Sequence, residues 1–334
     1  MTMKSTGITE TLIGAALLAM GALTSCGGHG ADAPAPDSVH VADVYTTMFR
    51  YGRADSAERA AMLRVDSAET MAFMKVVGEL PTTDERIQGW SWSLPVLMFT
   101  PAVDSIYTDT DSLALAIGNT LARMRAEGIE LPPRKYAAVV WGRYESVMFV
   151  DSVMLVALNH YLGAEYEAYS HFPLYMRLVK EPKLMPYDIA EALIATEKPY
   201  DGGDSPTALS RMLYEGALTV AKIKAVDGGT PREALGYRPE QFTFLEDEES
   251  NLWNAIVSRG LLYDTSDENV RKLVGPGPNT ALLDVRAPGR AGRYIGYRIV
   301  ESYLRNNPDA TLPYLLSPEF YRSPQTLALA RYNP

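Results

Sequence analysis

The chain is 334 residues long, 47% hydrophobic and acidic, with a formal net charge of −10, long enough to bury one large core or two smaller ones. That balance argues against a nucleic-acid partner, which needs clustered Lys and Arg to meet phosphates, and it gains nothing from anionic lipid headgroups. Cys26 is the only cysteine, so no internal disulfide can form and the fold must be held by packing.

Leu12 to Leu23 is an uncharged apolar run, too short to span a bilayer comfortably, preceded by Lys4 and followed by Thr24 and Ser25. It reads as a signal peptide over residues 1–25. Leu23-Thr24-Ser25-Cys26 resembles the lipobox of bacterial lipoproteins, which makes Cys26 the expected lipid attachment point. The acyl chains would then supply the affinity for the lipid bilayer. Residues 26–38, small and proline-punctuated, read as a flexible tether. His29 and His40 have no partner at metal-ligand spacing.

From residue 39 onward we expect a single α+β domain, mostly helical with a small antiparallel β-sheet. Val41, Val44, Tyr45 and Met48 recur at helical spacing, and a second helical stretch runs from Ser56 to Val77. Trp90 and Trp92 suggest a loop, followed by a helix from Leu113 to Ala126, so residues 39–134 read as helical. Three short runs rich in β-branched and aromatic residues, Tyr136 to Trp141, Val147 to Val150 and Met154 to Leu158, predict the sheet at about 135–160. His160, at the end of the third run, is by residue type a base or ligand, or else a hydrogen-bonded histidine closing a strand. His171 has no partner at metal-ligand spacing.

Residues 161–334 read as helical again, with short pieces between prolines. Tyr187 to Thr196 carries Asp188 and Glu191. Ser210 to Val226 carries Glu215 beside an apolar stripe. Pro239 to Ser258 reads as one helix whose apolar face includes Glu249, so that carboxylate needs a buried donor. Arg293 on the last long helix is the expected partner, or failing it backbone N–H groups at a helix start. In the stretch Pro288 to Asn306, Pro288 and Gly289 make a turn and the helix that follows places Gly292 and Gly296 on one face with Ile299, Val300 and Tyr303, where another backbone could approach closely. Arg298, Glu301 and Arg305 lie opposite.

No HExxH, catalytic cysteine, phosphate loop or nucleophile elbow is present. The acidic run Glu246 to Glu249 is of cation-site type but equally suits a solvated helix face with one inward member. Several motifs then occur in one order: Asp151-Ser152-Val153-Met154-Leu155 leading to Asn159-His160-Tyr161-Leu162-Gly163, then Leu213-Tyr214-Glu215-Gly216, Leu252-Trp253, and Pro288-Gly289-Arg290 with Gly292 and Ile295-Gly296-Tyr297-Arg298. Together they resemble the gliding-motility-associated lipoproteins of GldB type. The resemblance implies a cell-envelope lipoprotein of the gliding machinery and its associated secretion apparatus. It also implies a distant likeness to HExxH zinc peptidases, in which Pro186 to Thr196 takes the place of the metal helix without its histidines and Glu215-Gly216 survives, a degenerate scaffold.

The expected function is therefore noncatalytic, an interaction or assembly subunit binding other envelope proteins. The alternative is a peptidase-like envelope hydrolase using His160, Asp188, Glu191 and Glu215. No cofactor and no metal are expected. The expected location is the outer membrane, facing the periplasm.

Overall fold

The computed structural model describes residues 33–78 and 81–334, so the signal-peptide reading and Cys26 lie outside the described residues. The described chain opens with β1 (Val41–Asp43) and α1 (Val44–Tyr51). The helical pattern expected from Val41 thus begins three residues later, because the Asp43 carboxylate caps the helix by accepting from the Thr46 amide at 3.0 Å, which leaves Val41 and Ala42 extended. Five more helices follow: α2 (Ser56–Met62), α3 (Ser67–Val76), α4 (Asp84–Ser91), α5 (Leu94–Ile106) and α6 (Asp111–Ala126). Trp90 lies in a helix and Trp92 at its end, where a loop was expected. The last tether residues are docked. The Asp37 amide donates to the Gly118 carbonyl of α6 at 3.1 Å, and its carboxylate meets Arg125 at 2.6 Å.

The sheet is completed by β2 (Lys135–Val139), β3 (Val147–Val150) and β4 (Val153–Ala157), in the spatial order β1-β2-β4-β3. It is mixed rather than antiparallel: β1 runs parallel to β2 and β2 to β4, and only β3 and β4 are antiparallel. The reason is topological. Six helices separate β1 from β2, and β3 lies between β2 and β4 in sequence, so both connections are long enough for a parallel return. The tight turn at Asp151, whose φ is +54°, folds β3 back onto the outside of β4. Every residue of β4 is buried, as a strand covered on both faces must be.

The remainder is helical: α7 (Leu174–Arg177), α8 (Met185–Glu197), α9 (Ala208–Ala225), α10 (Pro231–Ala234), α11 (Pro239–Asp247), α12 (Glu249–Ser258), α13 (Asp267–Val274), α14 (Ala291–Asn306), α15 (Leu312–Leu315), α16 (Pro318–Tyr321) and α17 (Thr326–Ala330). Among the described residues two large hydrophobic cores result, one between the sheet and α1 to α6, the other around α9 and α14, with a small third cluster of Leu184, Tyr187 and Ala234. Helix α8 is the seam. Its Met185, Ile189 and Leu193 pack into the first core, while Ala190 and Ile194 pack into the second.

Helix α9 is buried on nearly every side and crosses α14 backbone to backbone. A Cβ at Gly296 would stand 1.9 Å from the Met212 carbonyl oxygen, and one at Gly216 would stand 2.3 Å from that of Gly296. No side chain fits at either point. The glycine face expected on α14 is therefore real, and Gly216 is its counterpart on α9.

Candidate functional site

The glycine crossing decides which charges meet. With α9 and α14 in backbone contact, Glu215, next to Gly216, comes beside Arg293, one turn before Gly296. Arg293 Nε lies 3.2 Å from Glu215 Oε2, and its Nη1 donates to Glu191 Oε1 on α8 at 3.3 Å. One guanidinium thus bridges carboxylates from two helices. Lys222 of α9, itself buried, donates to Glu191 Oε2 at 2.5 Å, and Arg211 reaches Glu215 Oε1 at 2.6 Å. Burial opposes ionisation of Glu191, but Lys222 and Arg293 outweigh it and hold its carboxyl below the ordinary range.

Asp188, one turn before Glu191, accepts from the Tyr161 hydroxyl at 2.9 Å. Burial raises its carboxyl above the usual value. His160 is buried, with Nδ1 3.0 Å from Ser146 Oγ. Burial, helped by the charge of Lys180, pushes the imidazole down to about 3, so the ring is neutral. Of the two roles open to His160, the hydrogen-bonded histidine at a strand end is the one its geometry fits.

These residues surround a cleft of about 570 Å³. One wall is β3, through Val147, Met148 and Phe149; the others are α8, through Asp188 and Glu191, and the start of α14, through Arg290 and Arg293. Five of the six residues named from sequence, His160, Asp188, Glu191, Glu215 and Arg293, line this cleft or bond to a residue that does.

Glu249 does not belong to it. The expected helix from Pro239 to Ser258 breaks at Glu248, whose backbone leaves helical values (φ −102°, ψ 9°), and Glu249 opens α12. Its carboxylate is buried, as expected, but the partner is not Arg293. It accepts from Tyr294 at 2.7 Å, Arg298 at 3.0 Å and Tyr332 at 2.8 Å. Tyr294 and Arg298 stand four apart, on the stripe of α14 that faces α12, whereas Arg293 faces α8 and α9. Arg298 also pairs with Glu301 at 2.6 Å, so it serves both the helix's outer face and the buried acid.

Sequence reading missed Ser146, Tyr161, Lys222 and Arg290. Lys222 carried a usable signal, a lysine in a helix apolar on all sides, which can be buried only against an acid. Arg290 is part of the Pro288-Gly289-Arg290 motif, which by itself assigns the side chain no role.

A scan of the chain against family models matches that of the gliding motility protein GldB over residues 39–334. The chain belongs to that family. No curated protein and no solved structure matches it. Family membership makes this GldB-type chain a gliding-motility-related lipoprotein of the cell envelope.

The likeness to zinc peptidases can be tested on the cleft itself. A metal at this place would need Glu191 and Glu215 as ligands, and both already hold the Arg293 guanidinium between them. Among the described residues no group of three or more His, Cys, Asp and Glu side chains could hold a metal ion. The residues present do not fit zinc.

Proposed function

We propose that this GldB family member is a noncatalytic assembly subunit of the gliding apparatus, held by lipidated Cys26 at the outer membrane and facing the periplasm, and that its cleft holds a segment of a partner envelope protein. One observation carries the reading: the carboxylates of the cleft are each engaged by a cation or hydroxyl fixed on another element, which suits a rigid receptor wall and leaves none free as a general base.

A photo-cross-linking side chain placed at Phe149, in the cleft, is expected to trap a discrete envelope protein in intact cells. The same probe at Leu115, an exposed position on α6, is expected to trap none. Equal patterns from both positions would refute the cleft as the binding face. The anchor is tested separately. Cys26→Ser is expected to leave the protein unprocessed or in the soluble fraction, and normal membrane retention at processed mass would contradict it.

A further inference from the structure

Arg290 is the one charged group of the cleft wall that bonds nothing. Among the described residues no hydrogen bond or ion pair reaches its guanidinium, although Glu191 and Asp188 are near enough to act on it through space. Those two acids are already engaged, by Lys222 and Arg293 and by Tyr161. The cleft therefore holds one cation to which, among the described residues, no carboxylate is bonded.

The backbone presents that cation deliberately. Arg290 has a φ of +67°, in the left-handed region that favours glycine, and it immediately precedes α14. The turn is pinned from below by buried Thr280, whose hydroxyl donates to the Pro288 carbonyl at 2.8 Å and accepts from the Ala291 amide at 3.0 Å.

The opposite wall adds a second kind of recognition. Strand β3 is at the edge of the sheet and, among the described residues, pairs only with β4. Ser146 bonds Ala157 across the ladder at 2.9 Å, so by antiparallel alternation Met148 and Val150 also bond inward. The amides and carbonyls of Val147 and Phe149 then point outward along the free edge. Val147 and Phe149 project from one face of the sheet and Met148 from the other, yet all three line the cleft, so it runs along this edge.

From these features we infer that the cleft binds an extended, acidic polypeptide segment, which adds as a strand to the free edge of β3 and seats a carboxylate on Arg290. The inference rests on the cleft being the partner site and specifies what that partner must present. Main-chain pairing gives affinity without sequence preference. The carboxylate sets which segment is accepted, because only an anion matches an unpaired guanidinium in a partly dry cleft.

The test uses the full-length lipoprotein in detergent and three fluorescent hexapeptides with both ends capped. The first alternates Val and Thr around one Asp. The second replaces Asp by Asn, and the third keeps Asp but is N-methylated at every amide, so that neither edge can donate. The Asp peptide is expected to bind about tenfold or more tighter than the Asn peptide, as loss of a charged hydrogen bond implies, and N-methylation should abolish binding. Arg290→Gln should erase the Asp preference and Arg290→Lys restore part of it. Equal binding of Asp and Asn peptides overturns the carboxylate seat while leaving the cleft as a peptide site, and undiminished binding of the methylated peptide overturns the strand addition. Binding of no peptide overturns both, and the Phe149 cross-linking experiment then decides independently whether the cleft meets a partner at all. Should Arg290→Gln fail to fold, the peptide series on the unaltered protein decides.

Discussion

Helix α14 carries two ionic clusters that differ in one respect. At its middle, Glu249 is closed in by Tyr294, Arg298 and Tyr332, with no donor left over. At its start, Arg293 closes the pair Glu191 and Glu215, but Arg290 beside it remains open to the cleft. The same helix thus fastens the fold with one cluster and presents a free charge with the other. A closed cluster is destabilised when either partner is removed, whereas a charge with no bonded partner adds only through-space attraction to the fold and stays available to a ligand.

The largest effect should come from opening the closed cluster. Glu249→Ala strands Arg298 and two tyrosine hydroxyls, and breaking a buried pair of this kind costs about 3–5 kcal/mol. The low end is the better expectation, since Arg298 keeps Glu301. Glu246→Ala, at an exposed position of α11, should change stability by less than about 0.5 kcal/mol. Urea titration of both variants checks this, and similar midpoints would mean that the buried carboxylate does not fasten α12 to α14.

Next is the crossing that positions both clusters. Gly296→Leu must push α14 away from Met212 and should cost about 1–3 kcal/mol, since overpacking a tight contact rarely costs less. It should also part Arg293 from Glu215. The control is Gly89→Ala in α4, where a Cβ meets nothing within 4 Å and better helix propensity should stabilise by roughly 0.5–1 kcal/mol. A Gly296 variant with an unchanged melting midpoint would end the close-packing argument.

A smaller effect appears only on acidification. Because burial holds His160 neutral down to about 3, the unfolded chain binds a proton near pH 6.5 that the folded chain refuses. Stability is therefore full above pH 6.5 and falls as the pH drops below it, levelling off near the folded value. The loss is about 2 kcal/mol by pH 5. His160→Gln, which can still bond Ser146, should flatten the slope between pH 7 and 5; an unaltered slope would assign it to other groups.

What was legible in the sequence followed from backbone and burial. The glycines of α14 could be read because a residue without a side chain on an apolar helix face has few other uses. Glu249 could be read as buried because its phase left it no other surroundings. Its partner could not, because α14 presents different stripes to different neighbours: Arg293 meets α8 and α9 while Tyr294 and Arg298 share the stripe that meets α12, and which stripe faces which helix is set by packing that no local pattern records. The mixed sheet was hidden for a different reason. Val41 to Asp43 is too short to show alternation, and strand direction is set by connections of a length that no local pattern records. The cleft was legible as a set of residues, Asp188, Glu191, Glu215 and Arg293, but not as an opening beside a free cation.

The central claim, that Arg290 is kept for a ligand and Arg298 for the fold, is tested most directly by the melting midpoints of Arg290→Gln and Arg298→Gln measured side by side. Removing an unpaired, half-buried cation should leave the midpoint unchanged or raise it, while Arg298→Gln should lower it by several degrees, as a loss of about 2 kcal/mol or more implies for a chain of this size. An Arg290→Gln midpoint that falls as far as that of Arg298→Gln would show that the open charge is a structural one.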